Sequence, residues 1–188
     1  YLASVMKNKG KTQWIEKGYE AVSEVGFTNV NIEFLARALS KNKSSFYYYF
    51  GDCDGFEEEL LAHHYSSGQV FAVEANSCQR IIPDMIDLFL NNKTHIFFHK
   101  QLRIHRQKPK FKTCFESAYQ MFEDAIIEQW ASFLNMKEQP MLAGKILRLI
   151  SENFLLQITN ENFTYSWLKD YLFETSTLLT DTNSKAKK

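Results

Sequence analysis

Apolar residues recur along this chain at intervals of three and four, the period of an α-helix, and strict apolar–polar alternation is rare. Ile15, Tyr19, Val22 and Val25 fall on one helical face, and Gly26 follows as a C-terminal stop. Ile32, Leu35, Ala36 and Leu39 predict a short second helix opened by Asn31, a good N-cap. After the "SKN" turn, Phe46 and Phe50 share a face of a third short helix. Gly51-Asp52 ends it, and Asp54 is placed to cap a long fourth helix through Phe56, Leu60, Leu61 and His64. Two further helices are predicted over 82–90, with Pro83 near the start, and 94–104. Pro109 opens one running over about 111–134, Pro140 opens the next, and the last covers 163–179 before a polar, frayed tail. The expectation is an all-α chain of about nine helices.

With 188 residues, 45% hydrophobic and 15% aromatic, the chain has ample core for independent folding. Its formal charge is zero, so no global field commits it to nucleic acid or membrane. The distribution is uneven. Residues 1–50 carry seven Lys/Arg against four Asp/Glu, and residues 93–112 carry seven and no acid. Cys53, Cys78 and Cys114 are odd in number and form no Cys-x-x-Cys pair, which favours free thiols in a reducing cytoplasm. No apolar run approaches a membrane span, no secretory signal is present, and the residues before Met6 read as a leader.

The stretch "SKNKSSFYYYFGD", residues 40–52, sets the functional question. Five consecutive aromatics, Phe46 to Phe50, cannot all be buried on one helix, because successive residues point about 100° apart. Two short helices joined by a tight turn, the second opening on small polar residues, are the plan of a helix-turn-helix. On that plan Phe46 and Phe50 anchor the third helix, and Lys43, Ser44 and Ser45 lie at the end that enters a DNA groove. Tyr47, with one or both of Tyr48 and Tyr49, projects outward to phosphates, sugars and thymine methyls. The competing reading is that these tyrosines only coat a helix surface.

Residues 11–61 resemble the TetR family of bacterial transcriptional regulators: "IEKGYEAVSEVGFTNVNIEFLARALSKNKSSFYYYFGDCDGFEEELL" carries a first helix ending in Gly-aromatic, then "LARAL", then "KSSFYYYF", then an acidic opening to a long helix. The resemblance implies that Lys43, Ser44, Ser45 and Tyr49 face the groove. It makes Tyr47 and Tyr48 phosphate and edge contacts, and Asn31 a backbone contact. It implies a DNA-binding domain over 1–53, with the helix-turn-helix at about 31–50, and an effector-binding and dimerisation domain over 54–188. Two positions depart from the pattern. Ser40 replaces the usual turn glycine, and Cys53 stands where the family commonly has a phosphate-binding lysine.

The family plan implies a homodimer on a two-fold symmetric duplex site, most simply a cytoplasmic repressor released by a small, largely apolar effector. Phe97, Phe98, Leu102, Phe115, Tyr119, Phe122, Trp130 and Phe154 are the candidate effector lining, although aromatic stripes at helical spacing are more often simple core. The eighth helix is apolar on two sides: Leu142, Ile146, Leu149 and Leu156 on one, Leu147, Ile150, Phe154 and Ile158 on the other. One stripe is expected to meet a partner, with Leu168, Tyr171, Leu172, Leu178 and Leu179 completing a four-helix seam; the alternative is a large monomer core. His95 and His99 are four apart, but no acidic third ligand lies near them, so no metal or other cofactor is expected. No phosphate loop, nucleophile elbow or His-Glu-x-x-His occurs, and the expectation is not an enzyme. The second function class is a helical ligand-binding or adaptor protein without specific DNA binding. The stretch "HKQLRIHRQKPKFK", residues 99–112, fits either a solvated basic loop or an added DNA-facing cation patch.

Overall fold

The computed structural model describes the backbone of residues 2–185 and the side chains of residues 9–177. Among the described residues there are nine α-helices and no strand. They are α1 (Leu2–Val25), α2 (Ile32–Ala38), α3 (Lys43–Phe50), α4 (Cys53–Ser77), α5 (Ile86–Asn91), α6 (Lys93–Ile104), α7 (Pro109–Phe133), α8 (Pro140–Gln157) and α9 (Tyr165–Lys185). None is long and apolar enough to cross a membrane. Packing groups residues 1–68 with 94–118, and residues 69–93 with 119–188.

Several boundaries differ from expectation for local reasons. Asp52, not Asp54, caps α4: its Oδ1 accepts the Gly55 N–H at 2.8 Å. A Cβ on Gly55 would overlap the Phe50 carbonyl oxygen, so the α3–α4 corner closes only around glycine. The helix expected from residue 82 opens with a π-helical turn, Ile81–Met85, that runs into α5 at Ile86; within it Ile82 is extended (φ −124°, ψ 123°), as a residue before proline prefers. Val25, expected on the buried face of α1, is exposed, while Trp14 is fully buried. The helix ends there, and Gly26 turns the chain at φ 82°. The backbone is helical through Lys185, past the expected end; the side chains of the polar tail lie outside the described residues.

In the first unit an aromatic nest joins α1, α3 and α4. Phe46 meets Trp14 at 5.4 Å, Phe50 at 5.0 Å and Phe56 at 5.0 Å between ring centroids. Further along α1, Tyr19 stacks on Phe98 at 4.2 Å. Its hydroxyl lies 2.7 Å from His64 Nδ1 and 3.2 Å from His95 Nδ1, and His64 Nε2 lies 3.1 Å from His99 Nδ1. A tyrosine hydroxyl has one proton and a neutral imidazole one N–H, so a single direction of donation runs through this chain. It pins α1 to α4 and α6. In the second unit Phe71, Phe89, Phe122 and Phe154 form a ring cluster, and the Trp130 indole N–H donates to the Ala143 carbonyl at 3.1 Å.

Burial holds the histidines neutral: His64 well below the ordinary imidazole range, His95 at about 4 and His99 at about 3, with neighbouring imidazoles adding like-charge repulsion. Unfolded imidazoles titrate near pH 6.5. A depressed folded value means that the unfolded chain takes up protons first as pH falls. Stability is therefore complete above about pH 6.5 and declines toward pH 4 and below. His95 alone is expected to contribute a loss of about 2 kcal/mol between pH 7 and pH 5. Urea unfolding at both pH values checks this, with His95→Phe giving a flatter dependence; an unchanged midpoint for the parent chain contradicts it.

Candidate nucleic-acid interface

The α2–turn–α3 segment is built by local hydrogen bonding. Asn31 caps α2, its Oδ1 accepting the Phe34 N–H at 2.8 Å. At the other end the Lys41 N–H donates to the Ala36 carbonyl at 2.9 Å, wrapping the last turn back on itself. That closure needs a left-handed residue, and Ser40 supplies it at φ 53°. Asn42 then caps α3: its Oδ1 accepts the Ser45 N–H at 2.9 Å, and the Ser45 hydroxyl returns a bond to the Asn42 carbonyl at 2.8 Å. Asn42 was not singled out in the sequence, although Asn three residues ahead of Ser45 is an ordinary N-cap signal.

Burying Phe46 and Phe50 decides where the other side chains of α3 go. Lys43 and Ser44 are exposed, Ser45 is half-buried, and Tyr47 and Tyr48 are 50% and 66% exposed. Tyr49 is half-buried against α1, where a Cβ on Gly10 would overlap its hydroxyl. Tyr48 and Tyr49 contact edge to face at 5.2 Å. Asn31, Lys43, Ser44, Tyr47 and Tyr48 are thus accessible, whereas Ser45 and Tyr49 are partly used by the fold.

Several lysines around this segment are already partnered, while Arg37 on α2 is exposed. Lys43 Nζ lies 2.6 Å from Glu33 Oε1 in the first turn of α2, a hydrogen bond that raises the lysine pKa and lowers that of the carboxyl. The Lys41 ammonium donates to the Gly10 carbonyl at 3.2 Å. Lys11 pairs with Glu59 at 2.6 Å. Within the basic stretch after α6, Lys108 reaches Glu57 at 3.3 Å, and Lys110 reaches Glu57 at 2.9 Å and Asp54 at 3.2 Å. Those two lysines tie residues 108 and 110 to the start of α4, while Arg106, Gln107, Lys108, Pro109 and Lys112 remain exposed. Cys53 is exposed at the head of α4.

The eight candidate effector residues divide between the two packing units. Phe97, Phe98, Leu102 and Phe115 are buried in the first; Tyr119, Trp130 and Phe154 are buried in the second, with Phe122 half-buried there. Arg148 lies over the Tyr119 ring at 4.4 Å, and Tyr119 is pushed above the tyrosine range mainly by burial. A groove of about 830 Å³ in the second unit is lined by none of the eight; Ile81, Ile82, Ile127, Phe133 and Lys137 are among its walls. Among the described residues no group of three or more His, Cys, Asp or Glu could hold a metal ion.

On α8 the two apolar stripes separate cleanly. Leu147, Phe154 and Ile158 are buried, and Ile150 is half-buried. Leu142, Leu149 and Leu156 are 44%, 71% and 60% exposed, with Ile146 half-buried between them. On α9, Leu168 packs inward and Leu172 is half-buried. Tyr171 is also half-buried, and its hydroxyl donates to the Ile150 carbonyl at 2.9 Å. Phe173, not anticipated, is 63% exposed. The side chains of Leu178 and Leu179 lie outside the described residues. No protein-family model matches this chain, and no curated protein matches it.

Ser40 yields a stability prediction. Left-handed backbone costs a non-glycine residue about 1–2 kcal/mol, while glycine adds about 0.5–1 kcal/mol of unfolded-state entropy. Ser40→Gly is therefore expected to be more stable by about 0.5–1 kcal/mol in urea unfolding. A loss of stability would show that the turn does not need φ > 0.

Proposed function

We propose that this chain is a DNA-binding transcriptional regulator of the TetR type, a cytoplasmic homodimeric repressor released from its operator by a small, largely apolar effector. The observation that carries the reading is the α2–turn–α3 segment: Phe46 and Phe50 are buried, and Lys43, Ser44, Tyr47 and Tyr48 stand out from the same short helix. The α3 N-terminus would enter the major groove, where small serines allow close approach and Lys43 reaches a base edge. Tyr47 and Tyr48 would donate hydroxyls to phosphates, which position the helix without reading sequence. The exposed stripe Leu142, Leu149 and Leu156 supports the dimer, because a contiguous apolar face on a helix marks an interaction surface. An isologous pair built on it would present two reading helices to one symmetric site. An effector that binds better to a dimer with a different half-site spacing lowers DNA affinity by population shift.

Selection of bound duplexes from a random pool tests the reading directly. The expected product is a two-fold symmetric site with half-sites about 34–36 Å apart, bound with an affinity that falls by about 0.9 log units per neutralised phosphate per log unit of salt. Tyr47→Phe is expected to weaken binding to all sequences alike. Lys43→Ala is expected to relax preference at one base pair per half-site, at about 1–3 kcal/mol. No enrichment, or a flat salt response, favours the helical adaptor.

The dimer has its own check. Leu149→Asp places a charge in the exposed stripe, where it costs the free chain only a few tenths of a kcal/mol of helix propensity but is desolvated in an interface. Light scattering is expected to give a dimer for the parent chain and a monomer for the variant, with helix content unchanged. Identical masses would remove α8 from the interface.

A further inference from the structure

Resting on the DNA-binding reading, the geometry points to Glu33 as a discriminating residue: we propose that its carboxylate holds Lys43 so that only a duplex offering the right base edge releases it. Three observations support this. The Lys43–Glu33 contact is short, 2.6 Å, and joins the first turn of α2 to the first residue of α3, the end of the helix expected to enter the groove. Both side chains are largely accessible, 54% for the lysine and 68% for the glutamate, so a duplex can reach the pair. Nearby lysines are similarly bound, Lys11 to Glu59 and Lys110 to Glu57 and Asp54, which lowers the charge left to hold arbitrary DNA.

The physical consequence follows from what each ligand of Lys43 offers. A carboxylate is a charge-assisted acceptor for the ammonium, as strong as a phosphate oxygen and already in place. On arbitrary DNA, moving Lys43 to a phosphate breaks one ion pair to make another and leaves Glu33 bare beside a polyanion. Non-cognate binding is therefore penalised. On a cognate site, acceptors such as guanine O6 and N7 take the ammonium at fixed geometry, and an exposed cytosine N4 amine can donate to the Glu33 carboxylate at the same time. The pair then opens against two partners instead of one, and Glu33 is no longer left bare. Glu33 thus acts on specificity through Lys43, as a positioning residue and as a repulsive element against the wrong duplex.

The test uses a duplex selected by the parent chain and a scrambled duplex of equal length, titrated by fluorescence anisotropy at several salt concentrations. Glu33→Gln keeps size and polarity and removes the charge. It is expected to bind the scrambled duplex about 3–10-fold more tightly, with a smaller gain on the selected duplex, so that the ratio of the two affinities falls. In a Lys43→Gln background the same change is expected to leave that ratio alone. Circular dichroism thermal scans establish that all variants are folded. An equal gain on both duplexes, or an undiminished effect without Lys43, overturns the proposal while leaving DNA binding intact. Failure of the parent chain to bind any duplex overturns the underlying reading instead, and this inference with it.

Discussion

The orientation of α3 depends on where Phe46 goes. A helix as short as α3, Lys43–Phe50, has no stability of its own in water, so tertiary packing must define it. Phe46 is fully buried among Trp14, Phe50 and Phe56, which fixes the rotation of α3 about its axis as well as its position on α1 and α4. Edge-to-face and tilted ring pairs of this kind add about 0.5–1.5 kcal/mol each beyond the area they bury. With rotation fixed, the 100° step per residue leaves Ser44, Tyr47 and Tyr48 no inward direction. The outward tyrosines are therefore a consequence of the phenylalanines between which they sit.

A second constraint is electrostatic. The chain has no net charge, and its lysines near α3 are divided among carboxylates and a carbonyl of the same unit. Exposed pairs of this sort contribute little to folding, about 0–1 kcal/mol each. Their effect is on what else the lysines can bind. A regulator that competes among a vast excess of non-specific sites gains selectivity from weak background affinity, since the ratio of affinities matters more than either one. In the proposed regulator, self-neutralisation around a helix with accessible hydroxyls fits that requirement.

How much of this was legible from sequence depended on the range of the forces involved. The helix-turn-helix is specified locally, by Asn31, by the spacing of Phe46 and Phe50, and by Gly51, and the elements fall where those residues place them. Glycine and proline effects were readable in kind but not in detail: Ile82 before Pro83 is extended inside a π-helical turn that precedes α5, and Asp52 takes the cap that Asp54 was expected to make. What could not be read was anything set by pairing between distant helices. Tyr19, His64, His95 and His99 look like scattered polar residues in the sequence and become one buried hydrogen-bonded chain. The basic stretch gave no hint that Lys108 and Lys110 would find Asp54 and Glu57 some fifty residues earlier. The groove fails for the same reason, since its walls come from the 79–82 segment, the end of α7 and the loop before α8.

The α8 helix shows the limit of periodicity and also what periodicity can force. Two apolar stripes on one helix require two sets of neighbours, and among their described residues only Leu147, Phe154 and Ile158 are buried. A stripe with Leu149 at 71% and Leu156 at 60% exposure loses hydrophobic free energy as long as it faces water, at about 25 cal/mol per Å² of apolar surface. Tyr171 ties α9 to α8 through the Ile150 carbonyl, so the two helices offer a fixed surface and not a mobile one. That rigidity matters in the proposed regulator, because an isologous interface is self-complementary only if both copies hold the same shape.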